Sequence, residues 1–157
     1  MEPSQWRLFP MAASAGGSVL IADDETQCGV RMRATLEGAG YAVQEARDGG
    51  RALHLLQTSL VPLVVLFDHL LPGVRLADLL EQALVREELR RHTYLVLISD
   101  GYRRPSHTVT HCLAQLGGQF LHKTIEADTL LAVVAEAPAT ARARRLRHTR
   151  RSAATTR

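Results

Sequence analysis

Polar residues that could bind a cation and a phosphate end separate apolar runs of the sequence. Asp23 and Asp24 follow the first run, Asp68 follows the third and Lys123 follows the fifth. Three carboxylates brought together repel one another unless a cation lies among them, and oxygen ligands of this kind favour Mg²⁺. A carboxylate held beside that ion can attack a phosphoryl group and form an acyl phosphate. The pattern therefore predicts a site for phosphoryl chemistry.

Two further groups complete the predicted site. Ser99 follows the fourth apolar run, and its hydroxyl can donate a hydrogen bond to a phosphate oxygen. Lys123 supplies a mobile positive charge for the same oxygens. Asp100 comes directly after Ser99 and adds a negative charge near the expected phosphoryl group. We therefore expect slow phosphorylation by small donors.

Five strand-like apolar runs alternate with five segments whose apolar spacing is typical of helices. Each run is almost continuously apolar, which favours a parallel sheet covered by helices on both faces. In such an open, doubly wound α/β fold, the carboxyl ends of the strands meet at one edge, where reactive sites lie. The strands are predicted at residues 18–22, 41–45, 63–67, 94–98 and 119–122, and the helices at about 26–38, 52–59, 76–89, 106–116 and 126–138.

The composition predicts one domain with short additions. A chain of 157 residues that is 46% hydrophobic can bury one ordinary core. We interpret residues 1–17 as a flexible leader, residues 18–137 as the domain and residues 138–157 as a basic, disordered tail. Seven arginines and no acidic residue lie from Arg142 onward, whereas the rest of the chain has 12 basic and 16 acidic residues, a net charge of −4.

The basic tail has two interpretations. As a solvated end it needs no partner, and as a basic arm it could contact nucleic acid, anionic lipid or an acidic protein through salt-sensitive attraction. From Arg142 to the end it contains no aromatic residue that could stack on a base. Specific DNA binding is therefore the less favoured of these functions.

Several other kinds of site are disfavoured. Cys28 and Cys112 lie in amphipathic segments without a metal-type spacing, so we expect core residues and a reducing, cytoplasmic setting. His107 and His111 are four residues apart, as zinc ligands can be, but no third ligand supports them. No apolar run approaches the roughly 20 residues that cross a bilayer, so we expect no membrane insertion.

Four stretches of the sequence, in order, resemble the receiver domain of bacterial response regulators over about residues 18 to 137. The resemblance implies a flavodoxin-like, doubly wound five-stranded parallel sheet with strand order 2-1-3-4-5 and five helices. It also implies a signalling module of two-component systems rather than an enzyme. The stretches that carry it are Val19-Leu20-Ile21-Ala22-Asp23-Asp24-Glu25, Val64-Val65-Leu66-Phe67-Asp68-His69-Leu70-Leu71-Pro72-Gly73, Val96-Leu97-Ile98-Ser99 and Phe120-Leu121-His122-Lys123.

The same resemblance assigns roles within the site. Asp68 is implied as the phosphoacceptor, and Asp24 and the backbone carbonyl of Leu70 as Mg²⁺ ligands beside Asp68 itself. Asp23 is implied to lie near the ion, in contact through a water molecule. Lys123 and the hydroxyl of Ser99 complete the implied catalytic set.

Regulation and partners follow from the resemblance as well. Ser99 and Phe120 match the hydroxyl and aromatic pair whose movements report phosphorylation to the surface of the fourth helix, fifth strand and fifth helix. The implied donor is a phosphohistidine on a sensor histidine kinase or phosphotransfer protein. The implied output is a downstream protein target, and many receivers pair as homodimers.

The sequence departs from the family pattern at several positions. Thr124 follows Lys123 where the family usually has a proline, Asp100 stands where a small residue is usual, and Arg75 and Leu76 replace a common Asp-Gly pair. Asp100 and Thr124 leave open the alternative of a degenerate receiver that acts as a phosphorylation-independent interaction module. The arginine-rich tail leaves open a second alternative, a nucleic-acid-binding adaptor that uses the tail.

Overall fold

The computed structural model describes residues 16–99, 101 and 104–155. The leader expected at residues 1–17 lies almost wholly outside the described residues, and so does Asp100. The strands are β1 (Ser18–Ala22), β2 (Ala42–Ala46), β3 (Val64–Asp68), β4 (Thr93–Ile98) and β5 (Gln119–His122). The helices are α1 (Thr26–Gly38), α2 (Gly49–Thr58), α3 (Leu76–Val85), α4 (Glu87–Arg90), α5 (His107–Leu116) and α6 (Ala127–Thr155).

The five strands form one parallel sheet in the order β2-β1-β3-β4-β5. The predicted strand order is therefore confirmed. The order reverses between β1 and β3, so the carboxyl ends of these two neighbouring strands flank the crevice where such folds place their sites. Asp68 is the last residue of β3 and pairs with Leu97 of β4.

Alternate side chains of each central strand enter opposite halves of the core, because successive residues of a strand point to opposite faces of the sheet. In β1, for example, Leu20 packs in one half and Ile21 in the other. Helices α2, α3, α4 and α5 cover the first half, and α1 and α6 cover the second. Cys28 and Cys112 are free and buried, one in each half, as predicted. None of the described helices is long and apolar enough to cross a membrane.

The helices differ from the prediction in number, since the described residues contain six rather than five. The segment predicted as one helix at 76–89 is divided because Arg86 has extended backbone angles, φ −108° and ψ 120°. The short helix α4 then buries Leu89 fully. The other predicted helices end within a few residues of the observed helix ends. The exception is α6, which extends well beyond its predicted end.

The last helix corrects the interpretation of residues 138–157 as a disordered tail. We expected this helix to fade after Pro138, but α6 continues through Pro138 to Thr155. Proline lacks the backbone N–H that would bond the carbonyl of Val134, so one helix hydrogen bond is lost at this point. Contacts with the rest of the domain offset that loss.

The extension of α6 is anchored on the carboxyl end of α5. Arg145 donates to the carbonyls of Leu116 at 2.8 Å and His92 at 3.0 Å, and Arg144 donates to Gly118 O at 3.0 Å. The carbonyl of Leu116, the last residue of α5, has no partner within its helix, so Arg145 satisfies a group that would otherwise need water. The half-buried Arg145 side chain therefore fixes the start of the arginine-rich segment.

Candidate functional site

The carboxyl ends of β1, β3 and β5 bring one amine and three carboxylates together. Lys123 Nζ donates to Asp68 Oδ2 at 3.1 Å, to Asp23 Oδ1 at 3.2 Å and to Glu25 Oε2 at 3.1 Å. The carboxylates of Asp23 and Asp68 are almost fully buried, and the Lys123 side chain beside them is mostly buried as well. A single ammonium group thus balances part of a concentrated negative charge.

Backbone groups hold the two buried carboxylates in place. Asp23 Oδ1 accepts a hydrogen bond from the Glu25 N–H at 2.9 Å, and Asp68 Oδ1 accepts one from the Leu70 N–H at 3.1 Å. In both cases the aspartate at the strand end accepts a hydrogen bond from the N–H two residues later, which is the turn that aspartate side chains commonly form. The strand ladder therefore sets the position of each aspartate, and the turn sets the direction of its oxygens.

Three aspartates form an acidic cluster that suits a hard divalent cation. One carboxylate oxygen from each of Asp23, Asp24 and Asp68 lies within 4.8 Å of the other two. Asp24 is exposed, so the cluster opens to solvent on one side. Asp23 Oδ2 is buried and has no hydrogen-bond partner among the residues that the structure describes. A buried carboxylate oxygen without a donor is costly, and a bound cation would satisfy it.

The electrostatics of the cluster move two pKa values. Burial raises the pKa of Asp23, although the Glu25 N–H and Lys123 act in the opposite direction. Burial lowers the pKa of Lys123, but its hydrogen bonds to Glu25, Asp68 and Asp23 more than compensate, so this pKa lies above its ordinary value. Lys123 therefore stays a cation over the physiological pH range.

The sequence matches the response regulator receiver domain family over residues 19–135, most of the chain and all of the strands except the first residue of β1. The chain belongs to the response regulator receiver domain family. No curated protein matches this receiver domain.

Solved structures agree with this assignment in fold. The CheY-like receiver domain protein of Methanospirillum hungatei is 20% identical, with a TM-score of 0.65 over 81% of this chain and 98% of the other. The receiver domain of sensor histidine kinase PA1611 from Pseudomonas aeruginosa is 20% identical, with a TM-score of 0.64 over 80% and 99% of the two chains. That structure is described with a magnesium ion coordinated in its active site cleft. The chemotaxis response regulator CheY4 of Vibrio cholerae is 23% identical, with a TM-score of 0.62 over 76% and 97%.

The remaining predicted site residues lie around the same edge of the receiver sheet. Ser99 directly follows β4, whose Leu97 pairs with Asp68. Leu70 lies in the turn after β3, and the role of its carbonyl as a metal ligand stays a prediction. Phe120 lies in β5 and is partly buried against the core. The switch roles of Ser99 and Phe120 also stay predictions.

The loop after β5 differs from the usual receiver sequence because Thr124 replaces a proline. The described residues contain no cis peptide bond. The Lys123 N–H donates to Ile98 O at 3.0 Å, which extends the β4–β5 ladder by one bond, and Arg31 of α1 donates to Lys123 O at 2.6 Å. Both groups of the Lys123 backbone are therefore held without a proline.

Sequence reasoning missed Glu25 and Arg31 as parts of the site. Glu25 belongs to the acidic run after β1, and that run is the signal that could have included it. Arg31 gave no signal, because its contact with Lys123 joins residues 92 positions apart.

His107 and His111, the pair with zinc-like spacing, are exposed and their ring centroids lie 6.0 Å apart. They belong to no group of three or more potential metal ligands. Among the described residues, the aspartate cluster is the only such group.

Proposed function

We propose that this receiver domain accepts a phosphoryl group on Asp68 from a phosphohistidine of a sensor histidine kinase or phosphotransfer protein. The phosphorylated form then signals through contacts with a downstream protein, in the cytoplasm. The observation that carries the proposal is the contact of Lys123 Nζ with Asp68 Oδ2 beside the carboxylates of Asp23 and Asp24. This arrangement supports the proposed roles of Asp68 as the nucleophile, of the aspartates as the cation site and of Lys123 as the mobile ammonium.

The proposed transfer moves one phosphoryl group between two side chains. A carboxylate oxygen of Asp68 attacks phosphorus, an O–P bond forms, and the P–N bond to the donor histidine breaks. The electron pair of the broken bond stays on the imidazole nitrogen. The ammonium group of Lys123 exchanges its contact with the Asp68 carboxylate for one with a phosphoryl oxygen. The Ser99 hydroxyl donates to another phosphoryl oxygen.

The residues proposed to hold Mg²⁺ are Asp23, Asp24, Asp68 and the backbone carbonyl of Leu70. The buried, unpartnered oxygen of Asp23 supports this assignment, because a cation there would remove the cost of leaving it without a donor. When bound, Mg²⁺ offsets the negative charge that the carboxylates and the phosphoryl oxygens bring together.

The test is incorporation of phosphate from phosphoramidate or acetyl phosphate, followed by intact-mass spectrometry with Mg²⁺ and with EDTA. We expect an alkali-labile, hydroxylamine-sensitive gain of one phosphoryl group that requires Mg²⁺ and disappears in Asp68→Asn. Asp78→Asn is the matched control, because Asp78 is an exposed aspartate at the start of α3. Equal incorporation in Asp68→Asn and wild type would disprove the assignment of Asp68.

The same experiment separates the proposal from a degenerate receiver. A folded wild-type protein that gains no phosphoryl group from either small donor or from phosphorylated kinases and phosphotransfer proteins would favour a phosphorylation-independent interaction module. Binding of Mg²⁺ without any phosphoryl transfer would favour the same alternative.

A further inference from the structure

The loop after β5 places Lys123 and Thr124 at the centre of a tight turn. The Ile125 N–H donates to His122 O at 3.0 Å and closes this turn. The carbonyls of the two central residues have no partner within a turn of this kind, so they need one from elsewhere. For Lys123 that partner is Arg31 of α1, whose Nη2 donates to Lys123 O at 2.6 Å. A hydrogen bond from a charged donor is stronger than one between neutral groups.

The two backbone hydrogen bonds of Lys123 fix the direction of its side chain. The Lys123 N–H donates to Ile98 O at 3.0 Å, and the Lys123 carbonyl accepts from Arg31. Because peptide groups are planar, holding one on each side of the α-carbon sets both backbone torsions and the direction of the Cα–Cβ bond. The ammonium lies at the far end of that side chain, 3.1 Å from Asp68 Oδ2. Its position beside Asp68 therefore depends on the Arg31 contact.

Helix α1 is a firm support for these contacts. Its Met32 and Leu36 are buried in the core. The residue that precedes the helix, Glu25, accepts a hydrogen bond from Lys123 Nζ at 3.1 Å. The same helix thus holds Lys123 at both ends, the carbonyl through Arg31 and the ammonium through Glu25.

Thr124 makes the Arg31 contact more important than it would be in the usual receiver sequence. A proline at position 124 would restrict the backbone of Lys123, because its ring crowds the preceding residue. Threonine has no ring and leaves the preceding residue a wider choice of backbone angles. A contact from outside the loop is then needed to restrict the Lys123 backbone, and Arg31 makes such a contact.

We propose that Arg31 is a positioning residue, which holds the Lys123 carbonyl so that the ammonium meets the phosphoryl group that Asp68 accepts. Arg31 acts only through Lys123 and takes no part in the bond changes at phosphorus. The effect on the rate of transfer rests on the proposed function, whereas the effect on the Lys123 side chain does not.

The test compares Arg31→Met with a matched control, Arg33→Met, in the full chain. Methionine keeps an unbranched apolar stem and removes the donors. Arg33 lies in the same helix and also donates to a backbone carbonyl, Val43 O at 3.1 Å, but its ion pairs are with Glu37 and Glu45. Each variant loses one positive charge, so a general effect of net charge on an anionic phosphoryl donor is common to both.

The first measurement is nuclear magnetic resonance of the metal-free, unphosphorylated protein with isotopically labelled lysine. Lys123 is the only lysine of the chain, so one set of Cε and Hε signals comes from it. In wild type and Arg33→Met we expect two distinct Hε shifts and a high order parameter, because the side chain is held in one arrangement. In Arg31→Met we expect the two shifts to move together and the order parameter to fall. A loss of stability in α1 without a positioning role would not separate the two variants in this way.

The second measurement is the initial rate of phosphoryl incorporation from acetyl phosphate with Mg²⁺. We expect Arg31→Met to be about tenfold slower than wild type, because misplacing a reacting group by about 1 Å can cost about a hundredfold and Glu25 still restrains the ammonium. Arg33→Met should keep most of the wild-type rate. Circular dichroism should show that both variants are folded.

Three results would overturn the proposal. They are Hε signals in Arg31→Met identical to those of wild type, an equal change of these signals in Arg33→Met, and an unchanged rate in Arg31→Met despite changed signals. The first two would mean that other contacts position Lys123, and the third that its position does not limit the transfer. A wild-type protein that gains no phosphoryl group would instead disprove the proposed function, and the Hε signals would still decide whether Arg31 positions Lys123.

Discussion

Lys123 Nζ lies 3.1 Å from Asp68 Oδ2, although 55 residues separate the two in sequence. The contact joins the ends of β5 and β3, which are not adjacent in the sheet, so the long lysine side chain crosses the end of β4. Lys123 is also the only lysine of the chain. Any spectroscopic or labelling signal that is specific for a lysine side chain therefore comes from this site.

Lys123→Met should destabilise the metal-free protein. The substitution leaves the buried carboxylates of Asp23 and Asp68 without a cation, and breaking a buried ion pair in this way costs about 3 kcal/mol of the free energy of unfolding. Urea denaturation in EDTA measures the loss, and Mg²⁺ should recover part of it by replacing the missing charge. Arg51→Met, which removes an exposed basic side chain of α2, is the control. A variant as stable as wild type in EDTA would contradict this account of the charge balance.

Asp24→Asn should weaken Mg²⁺ binding without weakening the metal-free fold. Asp24 is exposed and contributes an oxygen to the aspartate cluster, but it does not bond Lys123. At a Mg²⁺ concentration about 100 times the dissociation constant, wild type should gain about 2.7 kcal/mol in the free energy of unfolding. We expect Asp24→Asn to gain less at the same concentration and to be at least as stable as wild type in EDTA, because the substitution removes one of three carboxylates that repel one another. Equal gains in the two proteins would remove Asp24 from the ligand set.

His92 should make the fold less stable in mild acid. The Leu63 N–H donates to His92 Nδ1 at 2.9 Å, so the ring proton is on Nε2, which donates to Leu56 O at 2.7 Å. Burial lowers the pKa of this ring. Below the unfolded-state pKa of about 6.5, the unfolded chain binds a proton that the folded protein does not, so the free energy of unfolding falls as pH falls, by up to about 1.4 kcal/mol per pH unit.

Chemical denaturation at several pH values between 5 and 8 tests this dependence. His92→Gln should be less stable than wild type at pH 8 and should lose less stability on acidification. His107→Gln, at an exposed histidine of α5, should keep the wild-type slope. The same slope in His92→Gln as in wild type would show that other groups cause the acid sensitivity.

Gly117→Ala should loosen the α6 extension. Gly117 has φ +75°, and an added Cβ would lie 2.4 Å from Ala141 O. The left-handed backbone alone costs about 1 kcal/mol for alanine, and the contact with the α6 backbone adds to that cost. Amide hydrogen exchange should be faster across residues 139–155 than in wild type. Gly38→Ala is the control, since a Cβ there meets nothing within 4 Å. Unchanged protection of residues 139–155 would mean that the extension is held by other contacts.

Asp100→Ala should speed labelling by acetyl phosphate. This prediction comes from the sequence alone, because Asp100 lies outside the described residues. Removing a negative charge next to Ser99 should weaken repulsion of the anionic donor. The initial rate of phosphoryl incorporation with Mg²⁺ measures the effect, and Asp78→Ala is the control for a change in total charge. A rate equal to that of wild type would refute the inhibitory role of Asp100.

The sequence predicted the strand order and the groups at the strand ends, but not every contact among them. Asp68 was predictable because it ends the most strand-like run, and parallel packing places that end beside the end of β1. Glu25 was not assigned to the site. Its hydrogen bond joins two residues 98 positions apart, and it depends on the direction that the flexible Lys123 side chain takes. The division of the helix at Arg86 was also missed, because the apolar spacing continues through to Leu89.

Composition alone did not predict that the arginine-rich segment is helical. Its high charge and its position after Pro138 are typical of a disordered end. Its helix is instead supported by carbonyls of Leu116, Gly118 and His92, which belong to distant parts of the chain. No local pattern in residues 138–155 reports those partners.

The sequence by itself determined which residues end each strand, and so which carboxylates and which amine share one edge of the sheet. It could do so because the contrast between apolar strands and polar ends is local, and parallel packing puts those ends together. Only the tertiary structure decided which oxygens of Asp23, Glu25 and Asp68 face Lys123, and which carbonyls the arginines of α6 bond. Those outcomes depend on hydrogen bonds between residues far apart in the chain, where spacing carries no information.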